Sequence, residues 1–262
     1  MTLAATGEGV VRYIESADRW IYVFMGGLFL VTAIAGFYPT STGLLDAVEA
    51  GTRPPPPLSL HIHAFLMVSW IALFFVQSVL IALGNRQYHI QFGLVSLILI
   101  PSIVIATIAV ILGLWERMAE VLPSMDETAR GQALYHSSNV LLSQTQTLVL
   151  LMVFYIWAFM SRRRHSETHK RVMTMAVLVV LSAAVGRLLK IRVTLPETPG
   201  LYLAGTIGLI IPALIWDVLR RGRVHKAYIL AIATYAIVSI PMYLLWGSAW
   251  WLATAPRLMG VN

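Results

Sequence analysis

Apolar residues in this chain come in blocks of 18 to 26 separated by short polar turns, not at the three-to-four spacing of an amphipathic helix. Stretches such as IALFFVQSVLIAL, residues 71–83, show no alternation, which excludes the ten-residue in-out strands of a membrane barrel. The blocks therefore predict an all-α, polytopic membrane protein with seven transmembrane helices, at about 20–38, 61–83, 90–115, 138–160, 172–189, 201–219 and 227–246. The fifth is the weakest, because Arg187 lies inside it. Short connections pair the second span with the third, the fourth with the fifth and the sixth with the seventh, giving one N-terminal helix plus three helical hairpins. Pro101, Pro212 and Pro241 are expected to loosen or kink three spans. The resulting division is 1–19, an N-terminal segment with an interfacial helix over 6–19; 20–246, the membrane domain; and 247–262, a tail.

Composition agrees, since 58% of the 262 residues are hydrophobic and 12% charged, too apolar for a water-soluble globule. The net charge of +7 would suit nucleic acid only if it were massed on one surface, but it lies in short loops between spans and speaks against that partner. Residues 1–19 and loops 84–89, 161–171 and 220–226 hold 12 of the 19 Lys and Arg residues, so the positive-inside rule puts them and the N-terminus in the cytoplasm and the C-terminus outside. The acid-bearing N-terminal segment and the long first span do not read as a cleavable signal. In the second outer loop, 116–137, Ser124 followed by Glu127 resembles a capping box, which would start the fourth helix beyond the lipid.

Six of the seven histidines fall in two layers. His89, His169 and His225 open the third, fifth and seventh spans on the inner side, in YHIQFGLVSL, THKRVMTMAV and VHKAYILAIA, a short repeat. His61 and His63 open the second span and His136 the fourth on the outer side. From His63 a stripe of Met67, Trp70, Phe74 and Gln77 runs down one helix face, and Asn139, Ser143 and Gln146 run below His136. Amides facing lipid are costly, so the two stripes predict a polar, histidine-capped cavity between the second and fourth spans.

The segments HIHAFLMVSWIALFFVQSVLIALGNRQYHIQFG and HKRVMTMAVLVVLSAAVGRLL resemble uncharacterised bacterial multi-pass inner-membrane proteins with an outer His-x-His helix start and repeated His-Lys/Arg inner helix starts. The match falls on His61, His63, Trp70, Gln77, His89, His169, Lys170, Arg171 and Arg187, over roughly 60–190. The resemblance implies a bacterial inner-membrane location and carries no activity with it. In design, not in sequence, layered histidines are similar to those of diheme cytochromes b.

With no cysteine in the chain, any bound metal must rest on histidine, methionine or carboxylate. Each histidine layer has two readings. The rings are either interfacial anchors beside snorkelling Lys and Arg, or ligands of a b-type haem or of one iron, copper or zinc ion. Arg187 either snorkels outward or faces a cavity, where it would bind a carboxylate, a haem propionate or a quinone oxygen. Asp217 is expected to pair with Arg220 or Arg221, one turn away. No phosphate-binding loop, G-x-S-x-G, H-E-x-x-H or carboxylate pair within a span is present, which sets hydrolases and nucleotide-driven pumps aside. Three functions remain: a membrane oxidoreductase with a histidine-held haem or metal and a quinone or other lipophilic substrate, a transporter or channel for a small solute or ion, and a non-catalytic subunit or assembly factor of a larger membrane complex.

Overall fold

The computed structural model describes the backbone of residues 2–261 and side chains from Ala17 to Val261, and all its regular structure is helical. The helices are α1 (Thr2–Glu49), α2 (Leu58–Ala82), α3 (Arg86–Gly93), α4 (Ser96–Val121), α5 (Glu127–Ser161), α6 (Ser166–Leu178), α7 (Ser182–Leu188), α8 (Thr198–Gly208), α9 (Ile211–Arg221), α10 (Lys226–Leu245) and α11 (Ala249–Leu258). Six continuous stretches are long and apolar enough to cross a membrane, and α8 with α9, bent by 46° at their junction, make a seventh if taken together. The bend precedes Pro212, whose ring clashes with the carbonyl four residues back, that of Gly208. Phe65, Ile98 and Leu244 on the bundle exterior are 71%, 74% and 73% exposed, a surface that suits lipid and not water. This is the architecture of a polytopic membrane protein.

Several boundaries differ from the sequence expectation. The interfacial segment and first span are one helix of 48 residues. The C-terminal tail contains α11, whose Trp251 is buried against Leu142 of α5 and Met242 of α10. Trp115 is packed with Leu122 and Val261. The cap of α5 is Asp126, which accepts from Ala129 N–H at 2.9 Å, while Ser124 donates back to the carbonyl of Val121. An aspartate already at the N-cap position outcompetes a capping box built two residues earlier.

The span that Arg187 made the weakest in sequence is the core of the bundle. In the stretch Ser166–Leu188, 72% of the apolar window is buried, against 22–33% in the other continuous spans. It packs against α1, α2, α5, α8 and α10 and contains a 3-10 turn at Val179–Leu181. Enclosure by protein explains the break, because backbone irregularity at membrane depth is tolerated where neighbouring helices surround it.

The beginnings of α1, α6 and α10 and the end of α9, here called the basic end, are tied by buried charge. Arg171 is fully buried; its Nε donates to Asp217 Oδ2 at 2.9 Å, Nη2 donates to Oδ1 of the same carboxylate, and Nη1 donates to Glu167 Oε2 at 2.8 Å. Asp217 also accepts from the backbone N–H of His225 at 3.0 Å. The expected pairing of Asp217 with Arg220 or Arg221 does not form: Arg220 pairs with Asp18 and Arg221 with Glu167. A bidentate guanidinium from another helix satisfies both oxygens of a buried carboxylate, which an exposed neighbour one turn away cannot do. Lys170 and Trp216 complete the coordination of Asp18, at 2.7 and 3.2 Å.

At the middle of the bundle α1 approaches α7 at Gly36, where an added Cβ would lie 2.4 Å from the carbonyl oxygen of Ala184. Gly36→Ala is therefore expected to destabilise the fold by about 1–3 kcal/mol, because the obstacle is backbone and cannot rotate away. Detergent-titrated unfolding checks this, with Gly43→Ala, where nothing lies within 4 Å, as the silent control.

Candidate functional site

The stripe on α2 meets the junction of α3 and α4. Gly93 ends α3, Leu94 and Val95 turn, and α4 begins at Ser96. The amide of Gln77 holds the last turn of α3: Oε1 accepts from Gly93 N–H at 2.8 Å and Nε2 donates to the carbonyl of His89 at 2.9 Å. Both groups lie just before the turn at Leu94 and Val95, so Gln77 ties α2 to the end of α3. Beside it, Ser96 donates to the carbonyl of Gly93 at 2.6 Å and takes the hydroxyl proton of Tyr155 at 2.9 Å. Tyr155 stands edge-on to Trp70, ring centres 6.0 Å apart, and the buried Trp70 Nε1–H has no acceptor among the described residues.

Those contacts set the protonation of two imidazoles. Gln77 Nε2 also lies 2.5 Å from Nδ1 of His89 and donates to it, which leaves the proton of neutral His89 on Nε2. His169 has the opposite tautomer. Its Nδ1 lies 2.8 Å from the carbonyl of Ala158, which can only accept, so Nδ1 carries the proton and Nε2 an open lone pair. That carbonyl belongs to the last turn of α5, where Arg162 N–H turns to Phe159 instead, and it would otherwise lack a partner. The two rings stand 6.5 Å apart between centres and 82° apart in plane, both half-buried at the basic end. One offers a donor and the other an acceptor.

The other predicted site residues are placed elsewhere. His225 is the N-cap of α10, its Nδ1 accepting from Ala227 N–H at 3.1 Å. On the far side, His61 and His136 are exposed, and His63 donates through Nδ1 to Thr107, 3.3 Å away, whose own hydroxyl donates to Ile103. Among the described residues no three His, Asp or Glu side chains form a group able to hold a metal ion, so neither three-histidine layer closes around one. The layers do not close because His225 caps its own helix, His63 is taken by Thr107 and His61 and His136 lie exposed, which leaves His89 and His169 as the pair that meets.

The expected cavity between the second and fourth spans is likewise corrected. Asn139 and Gln146 are buried, but they face α10 and its turn into α11: Asn139 Oδ1 accepts from Gly247 N–H at 3.0 Å, and Gln146 donates to Ser239. Ser143 is half-buried on the same helix. Arg187 lines no cavity; it is exposed, with its guanidinium 4.5 Å above the ring of Phe37 and Nη1 bonded to the carbonyl of Ala183. Two surface clefts, one lined by Leu189, Ile191, Leu201 and Gly205 and the other by Pro57, Gly113, Arg117 and Glu120, contain none of the seven histidines.

Sequence reasoning placed Arg171 only among the basic residues that snorkel outward beside the inner histidines, which its full burial corrects, and gave Tyr155 no role. Arg171 stands one residue before the continuous apolar run of α6, a signal that its side chain shares the buried face. Tyr155 gives no such signal, because one hydroxyl in an apolar span is ordinary.

Comparison of the chain with known protein families, with curated proteins and with solved structures finds no match.

Two outcomes follow from the basic end. Arg171→Gln is expected to cost about 3–5 kcal/mol, since it strands the Asp217 carboxylate, and Arg171→Met with Asp217→Leu should recover most of that loss in the same unfolding assay. The second concerns His225, which lies outside the spans; burial, then the charges of Arg171 and Arg221, hold its pKa below the ordinary 6.5. The unfolded chain thus takes up the proton first, so this contribution to stability is intact above pH 6.5 and declines as pH falls below it. His225→Asn keeps a capping acceptor without titrating, and its stability-versus-pH curve should be flatter in that window.

Proposed function

We propose that the chain is a bacterial inner-membrane redox protein whose working site is the His89–His169 pair, with the N-terminus and the basic loops in the cytoplasm. The substrate is a quinone or a similar lipophilic carbonyl compound. The observation that carries this reading is the complementary tautomer pair. A quinone oxygen accepts from His89 Nε2–H, and the hydroxyl of the reduced form donates to His169 Nε2. Gln77 and the carbonyl of Ala158 hold the rings in those tautomers before any ligand arrives. Electrons come from a partner in the membrane, and the apolar faces of α2 and α4 give a lipid-dissolved substrate its approach.

The ring spacing favours a second reading. His89 and His169, with ring centres 6.5 Å apart, would be the residues to hold a haem iron or a single metal ion, which would supply electron transfer. Against it, ligation through His89 Nε2 requires moving a proton that Gln77 fixes there, and Gln77 is itself fixed by two backbone groups.

Absorption and metal analysis of the detergent-purified protein, with titration by decylubiquinone, separate the two. The quinone reading expects no stoichiometric haem or metal, saturable binding, and affinity weakened roughly tenfold in His169→Gln. A Soret band or stoichiometric metal that disappears in His89→Gln supports the second reading. Neither bound quinone nor bound metal removes both.

A further inference from the structure

At the end of the bundle away from His89, α5 carries Tyr135, Ser138 and Asn139 on one face, at the i, i+3 and i+4 spacing. That face meets the turn from α10 into α11. Asn139 and Ser138 are fully buried. The Asn139 amide cannot be reversed, because its oxygen accepts from Gly247 N–H at 3.0 Å, so the other amide atom is the donor Nδ2. Asn139 Nδ2, Ser138 Oγ and the Nε1 of Trp246, the residue before Gly247, are all buried without a partner among the described residues. Tyr135 Oη adds a fourth polar group, 2.6 Å from where a Cβ on residue 247 would stand, and with φ at +68° that position is suited to glycine.

The helix that starts here points its N-terminus at the same place. Ser248 caps α11, taking Trp251 N–H on its side chain and Leu252 N–H on its carbonyl. The N–H groups of Ala249 and Trp250 are left without helical acceptors, at the positive end of the helix dipole.

We propose that this turn is a binding site for a small monovalent anion of chloride size, held by Asn139, Ser138 and Trp246 beneath the N-terminus of α11. Donor chemistry favours an acceptor. The amide nitrogen and the indole can only donate, the Ser138 hydroxyl can donate with them, and the positive end of the α11 dipole adds to the preference for negative charge. Close packing at Gly247 selects a single atom over a polyatomic anion. Bound there, the anion would fasten α5, α10 and α11 together, independently of the histidine pair.

Thermal unfolding of the purified protein in sodium chloride and in sodium gluconate at matched ionic strength tests the site. The expected result is a saturable rise in Tm with chloride alone. Trp246→Phe keeps the aromatic packing and removes one donor, and Asn139→Asp keeps the acceptor for Gly247 while placing a negative charge against the anion. Each should raise the chloride midpoint tenfold or more. Should Asn139→Asp fail to fold, Trp246→Phe decides alone. A Tm that follows ionic strength equally in both salts, or an unchanged midpoint in Trp246→Phe, overturns the proposal. Crystals grown in bromide offer a direct reading: an anomalous peak beside Asn139 supports the site, and a peak-free turn in a bromide-loaded crystal overturns it.

Discussion

A guanidinium with no access to solvent dictates the arrangement of this bundle. Arg171 costs several kcal/mol to desolvate, and that cost is offset only where both oxygens of Asp217 and one of Glu167 meet it in the observed geometry. Helices α6 and α9 are thereby held at one relative depth, α1 follows through Asp18 and its bonds to Lys170 and Arg220, and α10 follows through the backbone of His225 on Asp217. Apolar packing against lipid has little preference among depths; a buried ion pair has one.

The histidine pair inherits its position from that registry. His169 lies on the turn of helix that carries Lys170 and Arg171, so the network that fixes α6 also fixes the distance to His89. His89 is placed from the other side by Gln77, whose Nε2 orients the imidazole and bonds the His89 carbonyl while its Oε1 takes Gly93 N–H at the end of α3. A polar group within a membrane helix here serves architecture first, and the open nitrogen edges are what remains for chemistry.

Much of this was legible in the chain. The apolar blocks located the helices, and the placement of His89, His169 and His225 in the first turns of theirs was readable from flanking charge. The stripe from His63 to Gln77 did mark an inward face. Which histidines would meet was not readable, because His89 is held by Gln77 of α2 and His169 by the Ala158 carbonyl of α5, contacts between helices that local spacing does not contain. Local spacing misplaced Asp217 because a neighbour at i+4 is a weak competitor for a bidentate partner from a distant helix. The amides of α5 were rightly assigned to protein contacts, but hydropathy gives no azimuth, and Asn139 and Gln146 turned toward α10 and not toward α2.

The separation of Arg171 from Asp217 by 46 residues has a consequence for biogenesis. As the chain emerges, the hairpin of α5 and α6 reaches the bilayer before α9 has been synthesised. During that interval the cation has Glu167 on its own helix as its anionic partner. Only when Asp217 arrives can α6 settle among its neighbours, so the most enclosed helix of the finished bundle is among the last to be seated.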